Sequence, residues 1–262
     1  MSDPFSDKLA AWRDYTESPW GRLRYLLAQR VLQQQCARLG TGRLRILDIG
    51  GGDGMEAVPL AEAGHEVTIV DQSTAWLAEA DRRAERSAVE IRTIRGDLDD
   101  LPELGEFDLV LCHFVLQYRA DPKRDLTTMA ARVRPGGRLS VIAPNPTGMV
   151  LRALVLNGPR AATEELQAPT KQAVTFDHQA SKLELDQLEA DLAGAGLRVV
   201  DRYGYRIANE LLCDNAAKQD PAYFEELLAL ELALCEREPF LRIGAAYHLV
   251  AERGPDHPAA EG

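Results

Sequence analysis

Three carboxylates and a run of glycines hold the most specific chemistry in this chain. In Asp48-Ile49-Gly50-Gly51-Gly52-Asp53-Gly54 the missing side chains let backbone N–H groups come close to a ligand, and a helix that starts after such a turn offers them to a carboxylate or phosphate. The spacing is not that of a dinucleotide fingerprint, because the third glycine comes one residue early and Met55 takes its place. Asp71, with Gln72 beside it, ends the next aliphatic run, where a carboxylate can accept from ribose hydroxyls. Gly96-Asp97-Leu98 ends a third run, so Asp97 can accept from an exocyclic amine while Leu98 packs on a base. Three strand ends that converge on one nucleoside say more than any one motif.

Two further polar residues stand at strand ends. His113 follows the fourth strand and is the candidate general base if a hydroxyl is to be activated. Arg206, on or after the sixth, either pairs with a surface acid or holds a substrate carboxylate. On the residues alone, Arg24 reads as a solvated arginine on an apolar-faced helix, and Trp20, Trp76 and Phe114 read as core or lid aromatics, with Trp20 placed to close over a ligand.

The elements that must position these groups follow from periodicity. Leu23, Leu26, Leu27, Val31, Leu32 and Leu39 recur at helical spacing and Gly40 stops the helix. Arg45 to Ile49 is a short buried strand, a helix follows through Met55 to Ala63, and Glu66 to Val70 is the next strand, with Ser73 placed to cap the helix after it. Strands over Val89 to Ile94, Phe107 to Cys112 and Arg138 to Ala143, with a helix over Asp121 to Val133, continue an alternation that implies a parallel sheet with helices on both faces. Met149 to Ala180 has helical and loop signals without a clear strand, as expected of an insertion over the sheet's edge. Ser181 to Ala193 reads as a helix capped by Ser181, Leu197 to Asp201 as a sixth strand, Phe224 to Glu236 as a helix and Gly244 to Ala251 as the last strand.

Composition narrows the partners. With 41 acidic residues against 30 Lys and Arg, a net charge of -11 repels phosphate backbones, so nucleic acid would need a local basic patch. Cys36, Cys112, Cys213 and Cys235 stand singly, without metal-ligand spacing, and read as buried thiols of a cytoplasmic protein. Met1 to Lys8 has no apolar signal core and no apolar run is long enough to span a membrane. We expect a single domain over 1–253: an N-terminal helix at 21–40, a cofactor-binding half at 44–144, a substrate cap at 145–180 and a C-terminal half at 181–253. A disordered tail is expected at 254–262.

From Leu44 to Pro144 the chain resembles the class I S-adenosylmethionine-dependent methyltransferases, through the acid-initiated glycine turn, the acid after strand two, the Gly-Asp pair after strand three and Pro135-Gly136-Gly137 before strand five. The resemblance implies a Rossmann-like α/β sheet in the order 3-2-1-4-5-7-6 with strand seven antiparallel. It also implies a bound S-adenosylmethionine held by Asp48, Gly50, Gly51, Gly52, Asp71, Gln72, Gly96, Asp97 and Leu98. A narrower resemblance, to the bacterial tRNA methyltransferases that esterify the carboxylate of wobble carboxymethoxyuridine, runs nearly end to end. Gly21-Arg22-Leu23-Arg24, the glycine turn, His113-Phe114-Val115-Leu116, Ala120-Asp121-Pro122, Asn145 with Gly148, and Glu238-Pro239, Gly244 and His248 carry it. It implies that Arg24 and His113 belong to the cofactor site.

That family's insertion is usually lysine-rich, whereas Ala161-Ala162-Thr163-Glu164-Glu165 stands here, and Asn209-Glu210-Leu211 replaces a His-Asp-Tyr run. Cys112-His113-Phe114-Val115 is not the Asn-Pro-Pro-aromatic motif of base amino methyltransferases. The expectation is therefore methyl transfer to an oxygen, carboxylate or hydroxyl, of a small molecule. A tRNA carboxylate is the alternative acceptor, and a binding protein without turnover and a nicotinamide enzyme are the rivals.

Overall fold

The computed structural model describes residues 9–168, 170–173 and 178–255. In chain order the strands are β1 (Arg45–Ile49), β2 (Glu66–Asp71), β3 (Arg92–Arg95), β4 (Phe107–His113), β5 (Val133–Pro144), β6 (Thr170–Ala173), β7 (His178–Ser181), β8 (Leu197–Tyr205) and β9 (Ala246–Arg253). Seven of them form one sheet in the order β3-β2-β1-β4-β5-β9-β8, and β6 and β7 pair as a separate antiparallel ribbon. The first five pair in parallel, while β9 runs antiparallel to both β5 and β8. With β8 and β9 as the sixth and seventh strands of the main sheet, this is the 3-2-1-4-5-7-6 order implied by the methyltransferase resemblance.

The helices are α1 (Leu9–Glu17), α2 (Pro19–Leu39), α3 (Ala57–Glu62), α4 (Thr74–Arg86), α5 (Pro122–Ala130), α6 (Pro146–Asn157), α7 (Pro159–Gln167), α8 (Leu185–Gly194), α9 (Ile207–Leu211) and α10 (Pro221–Leu234). Successive strand residues face opposite sides of the sheet, and the two cores divide accordingly. Ile46, Leu109 and Leu111 pack with Leu32 and Cys36 of α2, Leu60 of α3 and Leu77 of α4. Leu47, Val110 and Cys112 pack with Leu126 and Met129 of α5 and Leu188 and Leu192 of α8. Burial on both faces makes these strands continuously apolar, and each large aliphatic side chain removed from water contributes about 1.5–3 kcal/mol.

Local chemistry starts the helices. In α2, α5, α6 and α10 a polar cap precedes a proline at the first helical position: Ser18 accepts from Gly21 N–H, Asp121 from Arg124, Asn145 from Thr147 and Asp220 from Tyr223. Ser73 stands at the head of α4 but its side chain makes no capping bond; Asp71 instead accepts from its N–H at 2.8 Å.

Three expectations are corrected. The insertion after β5 contains α6 and α7 and also the β6–β7 ribbon, in a stretch read as having no clear strand. Ser181 is paired with Thr170 in that ribbon, so α8 begins at Leu185 rather than at a Ser181 cap. An extra helix, α1, precedes the first helix expected. It lies so close to α2 that a Cβ on Gly21 would stand 2.0 Å from the Tyr15 carbonyl oxygen. Among the cysteines, Cys36, Cys112 and Cys235 are buried, whereas Cys213 is exposed in the loop that leaves α9. Residues 256–262 of the expected tail lie outside the described residues, among which no helix is long and apolar enough to cross a membrane.

One buried acid fixes the element nearest to Arg206. Glu231 of α10 is 0% exposed, and its two oxygens accept from Ile207 N–H and Asn209 N–H, each at 2.8 Å, in the first turn of α9. Glu231→Ala strands both donors in the interior and leaves a void. We expect it to lower unfolding free energy by about 2–4 kcal/mol, read from urea midpoints at constant slope.

Candidate functional site

β1 lies between β2 and β4, so the connections from its neighbours leave in opposite directions and open a crevice at the carboxyl ends of the strands. The glycine turn forms its floor. Gly50 has φ +72°, and a Cβ there would come within 2.4 Å of Val115 Cγ2, so only glycine leaves the crevice open. Asp71, at the end of β2, grips the same turn: Oδ2 accepts from Gly52 N–H at 3.1 Å. Asp97 meets Arg119 Nη1 at 2.7 Å, and the same guanidinium reaches Asp99 at 2.8 Å and Asp125 at 2.7 Å.

The cavity thus enclosed measures 370 Å³. Arg24, Asp48, Gly50, Gly51, Gly52, Asp71, Gln72, Gly96, Asp97, Leu98 and His113 all line it. Every residue expected at the cofactor is therefore brought to one wall or another of a single crevice.

Residues not singled out from the sequence complete it: Trp12, Tyr25, Glu56, Tyr118 and Arg119. Trp12, of the unexpected helix α1, stands edge-on to Trp76 at 5.6 Å and stacked on Tyr15 at 5.4 Å. The lid position that Trp20 was expected to fill belongs to Trp12, because α1 folds back along α2. No local sequence pattern marks Glu56, which stands at the head of α3.

Arg24 is buried among rings, 4.0 Å from the Phe114 centroid, 4.7 Å from Tyr25 and 5.4 Å from Trp12. Its Nη2 lies 3.9 Å from Glu56 Oε1. The Arg24 Nε and Glu56 Oε1 atoms are buried without a hydrogen-bond partner.

His113 does not stand free at the strand end. Its Nδ1 is hydrogen-bonded to Glu56 Oε2, and its Nε2 lies 2.8 Å from Ser140 Oγ, which lies 2.6 Å from His248 Nε2; His248 Nδ1 is 2.5 Å from the Tyr205 hydroxyl. His113 can donate to Glu56 and accept from Ser140 while His248 donates to Ser140 and accepts from Tyr205, so every group in the chain has a partner. Burial alone would raise the Glu56 carboxyl, but His113 and Arg24 outweigh it and hold it below the ordinary range. Both His113 nitrogens are thus engaged, by Glu56 on one side and Ser140 on the other.

A second cavity of 130 Å³ adjoins the first across Arg24 and Phe114, and is lined also by Gly148, Met149, Arg152, Tyr205, Arg206, Ala245 and Ala246. Arg206, at φ +57°, donates from Nε to Glu210 at 2.8 Å and from Nη1 to the Tyr15 hydroxyl at 3.3 Å. Arg152 Nε meets the other Glu210 oxygen at 2.7 Å. The acid beside Arg206 is therefore a buried one, not the surface partner considered from the sequence. Tyr15 lies between Arg24 and Arg206; burial would raise its hydroxyl, yet the two guanidiniums bring it down overall.

Comparison with known proteins agrees with this geometry. A family model described as a methyltransferase domain matches residues 46–137. The tRNA 5-carboxymethoxyuridine methyltransferase of Escherichia coli (strain K12) is 30% identical over 237 residues, covering 89% of each chain. The chain belongs to the S-adenosylmethionine-dependent methyltransferases. A second relative, the ubiquinone biosynthesis O-methyltransferase of Rhizobium etli (strain CIAT 652), is 32% identical over 214 residues, 77% of this chain and 83% of that one. Among solved structures, magnesium protoporphyrin IX methyltransferase from Synechocystis PCC 6803 with bound S-adenosylhomocysteine has the same fold, with a TM-score of 0.64 at 16% identity over 95% of this chain and 94% of that one.

Two outcomes test this methyltransferase's crevice and the chain of buried rings behind it. Gly50→Ala adds a side chain at positive φ, costing about 1–2 kcal/mol of stability. It also fills the floor, so calorimetric affinity for S-adenosylhomocysteine should fall by at least about tenfold. His248 is held well below the usual histidine range, by burial first and then by His113. The unfolded chain takes up that proton near pH 6.5 and the folded chain does not, so this stabilisation is complete above about pH 6.5 and declines by about 1.4 kcal/mol per pH unit below it. Urea midpoints between pH 7.5 and 5 should show the decline, and His248→Gln should flatten it.

Proposed function

We propose that S-adenosylmethionine occupies the 370 Å³ crevice and that the methyl acceptor is a small carboxylate seated in the adjoining pocket against Arg206. The glycine cradle, which a Cβ on Gly50 would close, suits a flat nucleoside with an attached chain. Asp71 takes the ribose hydroxyls, with Gln72 beside it; Gly96, Asp97 and Leu98 receive the adenine; and Asp48 with Gly50, Gly51 and Gly52 forms the floor. Arg24 takes the cofactor carboxylate, and His113 belongs to the same wall through its bond to Glu56. Bound there, the cofactor supplies an electrophilic methyl group on a sulfonium.

The protein's own task is then alignment and exclusion of water. The observation that carries the carboxylate reading is the lining of the smaller pocket: it presents Arg152 and Arg206 and no unengaged base. Besides the arginines, Arg24 included, the pocket presents the Tyr205 hydroxyl, which is hydrogen-bonded to His248 and which burial pushes well above the usual range. A hydroxyl acceptor would need its proton removed, whereas a carboxylate arrives ionised and needs only a cation to hold it. Unpaired thiols at Cys36, Cys112, Cys213 and Cys235 suit a reducing cytoplasm.

The second reading is a tRNA carboxymethoxyuridine, also a carboxylate, favoured by the end-to-end similarity to the Escherichia coli enzyme. The net charge of -11 weighs on the side of the small molecule. Incubation with methyl-labelled cofactor and fractionated extract should place label in small carboxylic acids, released as methanol by mild alkali because the product is an ester. Label in tRNA would select the second reading, and alkali-stable label would remove the carboxylate from both. Arg206→Met should lower kcat/KM about 100-fold and leave S-adenosylhomocysteine affinity unchanged, the loss expected when a charge-assisted hydrogen bond to the acceptor goes.

A further inference from the structure

Glu56 and Arg24 present an uncommon pairing of unmet needs. Their side chains are 7% and 10% exposed and line the same cavity. Glu56 Oε1 is an acceptor without a donor, and Arg24 Nε is a donor without an acceptor. A native fold seldom leaves two such atoms on one wall unless a ligand meets them. The complement is a molecule that carries an ammonium and a carboxylate on neighbouring atoms, the zwitterionic end of an α-amino acid.

Resting on the cofactor reading above, we propose that Glu56 Oε1 accepts a hydrogen bond from the α-ammonium of the cofactor's amino-acid moiety while Arg24 Nε donates to its carboxylate. The chain His113–Ser140–His248–Tyr205 positions Glu56, since His113 occupies its other oxygen and is itself held from behind. The acid at the end of β1 is less suited to the task. Asp48 is fully buried, and desolvation followed by the charges of Glu56, Asp71 and Asp53 pushes its carboxyl well up, which penalises its charged form. Glu56 keeps its charge because His113 and Arg24 face it. An ammonium is thus drawn to Glu56 Oε1, which faces the cavity without a hydrogen-bond donor.

Calorimetry with three ligands tests the assignment: S-adenosylhomocysteine, its analogue lacking the α-amino group, and 5′-methylthioadenosine, which lacks the whole amino-acid end. In the wild type, removal of the amino group should weaken binding about 30-fold, the range of one charge-assisted hydrogen bond. In Glu56→Gln the first two ligands should bind within about threefold of one another, and methylthioadenosine should bind both proteins equally. The proposal is overturned if deamination costs as much in Glu56→Gln as in the wild type, or if the variant loses methylthioadenosine too, since Glu56 then merely supports the turn. If the variant does not fold, the wild type decides, and a deamination cost below about threefold overturns the proposal. Failure of the wild type to bind any of the three would instead overturn the cofactor reading itself.

Discussion

A strand that ends inside a parallel sheet must turn before it meets the next layer, and at the end of β1 the turn is made within van der Waals reach of Val115, which follows β4. There is space there for backbone but not for a side chain on Gly50. Every other feature of the crevice is arranged around this closeness. Asp71 is near enough to accept from Gly52 N–H only because the turn is bare. Glu56 follows the turn at the head of α3, and its placement there sets it against His113 and Arg24.

The walls are charged to a degree that a buried cavity tolerates only when charges are answered. Arg119 meets three carboxylates, and Arg206 meets Glu210 and Tyr15. In a region of low dielectric these pairs define geometry more than they add stability, because desolvation offsets much of the Coulomb attraction. Arg24 Nε and Glu56 Oε1 differ in that they are buried without a hydrogen-bond partner on the wall of one cavity. The same logic separates two acids of one family motif region: Asp48 is buried without an ionic partner and its carboxyl is pushed up, while Glu56 is buried against His113 and Arg24 and its carboxyl is held down.

The sheet and the nucleoside side of the site were readable because each depends on local chemistry. Aliphatic runs mark strands buried on both faces, glycines mark the bare turn, and acids after the runs fall at the carboxyl edge because parallel strands bring all such ends together. The ribbon β6–β7 was not readable: it is short, and Ser181 is as plausible before a helix as within a strand until Thr170 is found opposite. Helix α1 escaped because the contact that seats it on the crevice, the edge of Trp12 against Trp76, joins residues far apart in the chain.

Alone, the amino-acid sequence determined the alternation of strands and helices, the position of the glycine turn and the set of carboxylates beside it, since propensity, periodicity and turn chemistry act over a few residues. Only the tertiary structure decided what His113 can do, because its two partners come from α3's head and from β5. It also decided that Arg206 faces a buried acid and a neighbouring pocket, and that Trp12 rather than Trp20 covers the crevice. Those outcomes rest on distances between groups remote along the chain, and such distances exist only after the sheet has closed and the helices have packed against it.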